Sequence, residues 1–149
     1  MRRERGGVPR AVLDTNVLVS ALISPGGPSA ALLLELRAGA FELVVSPLIL
    51  EELADVLARP KLRAYASPGE AAAYLDLVRG LATQVHDPPP SGLALCADPD
   101  DEFLLDLARA ASADAMVSGD AHLLALRGTL PVLSPAEFLA KLGQGDAGG

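Results

Sequence analysis

Carboxylates stand at the joints of this sequence. Asp14 closes the apolar run Ala11-Val12-Leu13, and Asp120 follows Met116-Val117-Ser118-Gly119. If those runs are strands of an open parallel sheet, both acids lie beyond strand carboxyl ends, where such sheets bind ligands. Each also suits the N-cap of the helix that comes next, and one aspartate can do both. A helical pattern over 47–58 carries Glu51, Glu52 and Asp55 beside an apolar stripe of Ile49, Leu50, Leu53, Val56 and Leu57. At about 100° per residue, Glu51 and Asp55 fall opposite the stripe and Glu52 on its flank. A flanking acid can point along a sheet into a cleft, or be an ordinary boundary residue. The run Asp98-Pro99-Asp100-Asp101-Glu102 opens a helical pattern over 100–112. Asp98-Pro99 reads as an N-cap with proline at the first helical position, and acids favour a helix N-terminus. The pattern turns Glu102, Asp106 and Arg109 outward. It turns Asp100 and Asp101 inward, where unpaired charge is costly. A bound divalent cation would remove that cost.

The elements that must position these acids alternate. Residues 11–13, 42–46, 84–86, 115–117 and 130–133 read as five strands. Helical patterns cover 17–23, 29–38, 47–58, 68–83, 100–112, 121–127 and 135–142, with Pro47 opening the third and Pro60 following its end. Strands separated by helices require crossover connections, hence a mostly parallel sheet covered on both faces. Residues 1–9 read as a basic tail and 143–149 as a flexible end. The stretch 10–142 forms one domain, a size that 149 residues and 15.3 kDa allow.

Composition narrows the function classes. Half the residues are apolar, enough to bury a core. Aromatics make up 3%, too few for a binder that stacks bases along a strand. One cysteine, Cys96, and two histidines, His86 and His122, cannot build a Cys/His zinc site or an internal disulfide, so a reducing cytoplasm is expected. No run approaches the roughly 20 apolar residues of a membrane span, and no signal peptide is visible. Net charge is −7. Four arginines against Glu4 give residues 1–10 a charge of +3, so the rest carries −10. Such a body has no simple electrostatic grip on nucleic acid, unless its acids hold metal ions that reverse the local field.

Four segments resemble the motifs of PIN-domain nucleases, including the toxins of toxin–antitoxin pairs. Val12-Leu13-Asp14-Thr15-Asn16-Val17 is similar to the opening strand and turn, and Ser46-Pro47-Leu48-Ile49-Leu50-Glu51-Glu52-Leu53 to the second motif, whose register selects Glu52. Asp98-Pro99-Asp100-Asp101-Glu102-Phe103-Leu104 resembles the third and selects Asp101, with Asp98 or Asp100 as substitutes. Val117-Ser118-Gly119-Asp120-Ala121-His122 resembles the fourth. The resemblance implies a three-layer α/β/α fold with a five-stranded parallel sheet, order 3-2-1-4-5. It implies a metal site of Asp14, Glu52, Asp101 and Asp120, supported by Asn16 and Ser118, and Mg²⁺- or Mn²⁺-dependent cleavage of RNA. A small antitoxin partner and a homodimer are implied with it. Mg²⁺ and Mn²⁺ prefer carboxylate oxygens and water, which matches a site without cysteine or histidine.

Competing readings share the fold class. The haloacid-dehalogenase-like phosphatases open on Asp-x-Asp, and here the second position is Asn16. A receiver domain needs a lysine at a strand end, and the only lysines are Lys61 and Lys141. A catalytically inactive interaction module of the same fold would use the acids as caps alone. Outside the tail, the densest basic run is Arg59-Pro60-Lys61-Leu62-Arg63, which would contact RNA phosphates or be a solvated surface.

Overall fold

Proline opens most of the helices, and Asp14 and Asp120 each stand in a turn that follows a strand. The computed structural model describes residues 7–93, 96, 98–127 and 131–148, with side chains described as far as Gln144. The elements in chain order are β1 (Arg10–Leu13), α1 (Thr15–Ile23), α2 (Pro28–Arg37), β2 (Glu42–Val45), α3 (Pro47–Leu57), a 3-10 helix (Pro60–Ala64), α4 (Pro68–Leu81), β3 (Thr83–Gln84), α5 (Pro99–Ala110), β4 (Ala115–Val117), α6 (Ala121–Leu124), β5 (Val132–Leu133) and α7 (Pro135–Gly148). A proline at the first helical position has its φ preset and gives up only an amide that lacks an intrahelical partner. Pro28, Pro47, Pro68, Pro99 and Pro135 all stand there.

The sheet has the order β3-β2-β1-β4-β5, and every neighbouring pair is parallel. It is the order expected from the resemblance. Ala11 pairs with Leu43 on one side and Ala115 on the other, and Leu13 pairs with Val117. The strands are short apolar runs because helices cover both faces. Val12, Leu43, Val44, Val45, Met116 and Val117 are buried, and Leu53, Val78, Leu107 and Phe138 pack onto them from the helices. At the amino ends of the strands, Arg10 Nε donates to Glu42 Oε1 at 3.0 Å and Thr83 Oγ1 to Glu42 Oε2 at 2.7 Å. Arg10 N donates to Asp114 Oδ2 at 2.8 Å. This clamp ties four strands at the end away from the acids. Among the described residues no single helix is long and apolar enough to cross a membrane.

Several boundaries differ from the sequence pattern for identifiable reasons. The third strand sits at Thr83–Gln84 rather than 84–86. Val85 N still donates to Val45 O, but the chain then leaves so that Asp87 Oδ1 can accept from Leu48 N at 3.1 Å. Helix α6 stops at Leu124, not 127, because Leu126 and Arg127 bond to carbonyls three residues back and tighten into a turn. Helix α5 ends at Ala110, where Ser112 adopts φ 53° and Ala113 N returns to Ala108 O. Helix α7 runs past 142 to Gly148; Gly143 and Gly145 weaken a helix but, unlike proline, do not break it. Residues 1–6 of the expected tail and Leu130 of the expected fifth strand lie outside the described residues.

The face of α5 also departs from its pattern. Asp106 is 6% exposed and Glu102 is half-buried, whereas Asp100 is exposed. Backbone amides that precede α5 each meet one oxygen of these carboxylates. Ser91 N donates to Asp106 Oδ2 at 3.1 Å and Cys96 N to Glu102 Oε1 at 2.7 Å. Apolar periodicity cannot register a face covered by backbone. Arg109 stays exposed, as the pattern has it.

Candidate active site

The two strand-end aspartates meet through one hydroxyl. Asp14 follows β1 and caps α1, its Oδ1 accepting from Asn16 N at 3.3 Å. Its Oδ2 accepts from Ser118 Oγ at 2.9 Å. Ser118 follows β4 and is fully buried, and its Oγ also accepts from Asp120 N at 3.0 Å. Asp120 caps α6, accepting from His122 N at 2.7 Å. Both aspartates therefore act as caps and still carry charge at the carboxyl ends of adjacent strands. The pairing of Leu13 with Val117 brings them there. Asn16 supports Asp14 through its backbone amide, while its side chain is exposed.

Glu52 and Asp101 approach from two helices. Glu52, half-buried on the second turn of α3, accepts from Thr15 Oγ1 at 2.5 Å through Oε1. Asp101 lies half-buried in the first turn of α5, behind Asp98, which caps that helix by accepting from Asp100 N at 2.9 Å. A cleft of about 330 Å³ separates α3 from α5, lined by Leu48, Ile49, Glu51, Glu52, Asp55, Asp100, Phe103 and Leu104. A second hollow of about 320 Å³ is lined by Asn16, Val17, Ser20, Ser29, Gly119, Asp120 and Pro135. The basic run lies beyond the last turn of α3. Arg59 to Glu52 spans seven residues, about 10 Å at helical rise. Arg63 donates to Leu57 O and so caps the end of α3, while Arg59 and Lys61 are exposed.

Burial raises the pKa of the Asp14 carboxyl, against the hydrogen bonds from Ser118 and Asn16, and the charge of Asp120 raises it further. Asp101 is pushed up to about 6, first by burial and then by the charges of Asp120, Asp98, Asp14 and Asp100. Among the described residues no lysine or arginine pairs with Asp14, Glu52 or Asp101. Oxygen donors of this kind fit Mg²⁺ or Mn²⁺. As the side chains stand, among the described residues no three acidic, imidazole or thiol groups lie close enough to share one ion. Asp14 and Asp120 are joined, Asp101 feels both, and Glu52 is held to one side by Thr15.

A family model described as PIN domain matches residues 10–122. The chain belongs to the PIN domain family. PIN domains are in general nucleases that use divalent metals. Over 141 residues this PIN domain is 30% identical to uncharacterized protein MJ1680 from Methanocaldococcus jannaschii, covering 87% of this chain and 89% of that one. Its fold is similar to PAE2754 from Pyrobaculum aerophilum, with a TM-score of 0.66 and 17% identity over 92% of this chain and 96% of that one. It is also similar to VapBC2 from Rickettsia felis, a structure bound to a DNA fragment from their promoter. There the TM-score is 0.59 and the identity 16%, over 84% of this chain and 98% of that one.

Two residues of the PIN domain site escaped the sequence reading. Thr15 stands between Asp14 and Asn16, yet nothing in the sequence tells which acid its hydroxyl meets. Ser46 stands at the N-cap position of α3 but makes no side-chain cap bond, and its hydroxyl is buried without a partner among the described residues. Asp87 serves that helix end instead. A contact between residues 39 positions apart leaves no local signal.

Proposed function

We propose that this PIN domain is a Mg²⁺- or Mn²⁺-dependent endoribonuclease acting in the cytoplasm, with Asp14, Glu52, Asp101 and Asp120 as its metal-holding and catalytic residues. The observation that carries the reading is the pairing of Asp14 and Asp120 through the buried Ser118 hydroxyl, at the carboxyl ends of the two central strands. A bound ion supplies a Lewis acid for the scissile phosphate and a water of lowered pKa. Asp14 and Asp120 are held by caps and by Ser118, so their oxygens need little reorganisation to serve it. Thr15 fixes one oxygen of Glu52 and leaves the other for the cleft. With no lysine or arginine paired to them among the described residues, Asp14, Glu52 and Asp101 would attract a divalent ion, and a site holding one would accept a phosphate that the bare site repels. Arg59 and Lys61, one helix length from the acids, guide the RNA backbone, and Arg63 adds its charge from the end of α3. The likeness in fold to VapBC2 extends the proposal to a small antitoxin partner, and the motif resemblance adds a homodimer.

A Mn²⁺ titration followed by thermal melting tests this reading. Binding to the native state at about 100 times Kd adds about 2.7 kcal/mol. Wild-type chain should gain stability with Mn²⁺ and cut single-stranded RNA; Asp101→Asn should do neither. A second reading, an inactive interaction module, is favoured by the absence of three converging ligands among the described residues. It requires no Mn²⁺ shift and no cleavage. A loss of shift in Asp98→Asn or Asp100→Asn but not in Asp101→Asn would move the site along α5.

A further inference from the structure

Two hollows reach the acidic row, and their chemistry differs. The α3–α5 cleft presents Glu51, Glu52, Asp55 and Asp100. In the hollow beside Asp120, that aspartate is the only charged residue among the described residues. The rest of its polar lining is neutral: the Asn16 amide and the hydroxyls of Ser20 and Ser29. None of these three side chains has a hydrogen-bond partner among the described residues. Ser29 is only 7% exposed, and its hydroxyl is not among the fully enclosed polar atoms, so its open part faces the hollow. That hydroxyl is spent on no partner among the described residues and is free to bond what enters the hollow. Val17 and the Pro135 ring supply apolar walls. The polar side chains outnumber these walls, and at about 320 Å³ the hollow has room for a small molecule.

An amide that donates and accepts, together with two hydroxyls, matches the edge of a nucleobase, which single-stranded RNA exposes. Among the described residues no lysine or arginine lines this hollow to meet a phosphate. We propose that the hollow is a nucleobase subsite, in which Asn16, Ser20 and Ser29 read the base beside the bond that is cut. This rests on the ribonuclease reading for its position in the substrate, but not for its binding. Asn16 and Ser20 come from α1 and Ser29 from the start of α2, so the packing of α1 on α2 sets the spacing of the readers.

The test has two arms. In the first, a random-sequence RNA pool is digested with Mn²⁺ and the cut ends are sequenced for wild type, Ser20→Ala and Ser29→Ala. Wild type should prefer one base at one position flanking the cut. Each variant should lower that preference at least about fivefold, the low end for one specific base contact, while the Mn²⁺ melting shift stays at the wild-type value. In the second, the full chain in EDTA is titrated with each of the four ribonucleosides and followed by amide NMR. The Asn16, Ser20, Ser29 and Gly119 amides should move for one base more than the others, and Ser29→Val, which fills the hollow, should abolish the movement. Equal preferences in all three proteins, or amides that no ribonucleoside moves, would overturn the subsite. A wild type that cuts no RNA but shows base-selective shifts would sink the ribonuclease reading and support the subsite.

Discussion

Replacing Asp14 in two ways separates the bonds its carboxylate makes from the charge it carries. Its Oδ2 accepts from Ser118 Oγ at 2.9 Å and its Oδ1 from Asn16 N at 3.3 Å. Asparagine has the same shape. It keeps an oxygen for the Asn16 amide and presents its NH₂ to Ser118, whose hydroxyl can accept. It also removes a charge that burial and Asp120 both disfavour. Asp14→Asn should therefore leave metal-free stability within about 1 kcal/mol of wild type, or raise it. Alanine keeps neither bond. The lost cap costs about 1 kcal/mol, and the lost bond to a charged group about 1.5–3 kcal/mol. The removed charge offsets part of that, so Asp14→Ala should lose about 2–3 kcal/mol. A gap of about 2 kcal/mol between the variants is about 4–8 °C in Tm for a domain of this size. Urea unfolding in EDTA at pH 7, with equal m-values, measures it. Added Mn²⁺ should then stabilise wild type and neither variant. If Asn and Ala lose stability equally and by more than about 2 kcal/mol, the charge itself holds the fold and the argument fails.

Ser118→Ala should cost about 1.5–3 kcal/mol, because a buried carboxylate oxygen and the Asp120 amide both lose their partner; chemical denaturation reads it, and a loss under about 0.5 kcal/mol would remove Ser118 as the link. In EDTA the folded chain holds a proton on Asp101 up to about pH 6, whereas an unfolded aspartate gives it up near 4. The folded state binds more protons in that window, so the contribution of Asp101 to stability is full below about 4 and is lost as pH rises through about 6. Wild type should thus lose stability relative to Asp101→Asn between pH 4 and 7, and a difference that does not change with pH would contradict it. Lys61→Ala should flatten the log–log salt dependence of single-stranded RNA binding by up to ~0.7 without changing stability. Arg63→Ala should also destabilise, by about 0.5–1.5 kcal/mol, because Arg63 caps Leu57 O; equal melting of the two variants would show that cap to be idle.

The fold was legible because its signals are local and repeated. Five helices open on proline, and short strands between them announce crossovers, so parallel order followed from connection length. The acids at strand ends were legible for the same reason: Asp14 and Asp120 sit where a strand stops and a cap is needed. What could not be read were contacts made across the chain. Asp106 and Glu102 look like a solvated face until backbone amides from residues 91 and 96 cover them. Asp87 replaces Ser46 at the end of α3 from 39 residues away. Thr15 chooses Glu52 only once α1 and α3 pack. Each depends on a hydrogen bond whose partners no periodicity links.

The central position of the first strand sets the order in which this molecule can be assembled as it is synthesised. Strands β1, β2 and β3 are neighbours in the sheet and lie within Arg10–Gln84, so that half can pair while the rest is being made. It carries Asp14 and Glu52. Asp101 and Asp120 arrive later, and the 36 residues from Val85 to Asp120 take roughly 2–7 s to add at about 5–20 residues per second. Until β4 docks, β1 is an open apolar edge, the kind of edge that pairs with stray chains. The docking of Leu13 against Val117 closes that edge and brings Ser118 to Asp14 in one step. A truncated or still-growing chain therefore lacks the hydroxyl that joins the two central aspartates, and the acidic centre is complete only in a molecule whose sheet is already closed over.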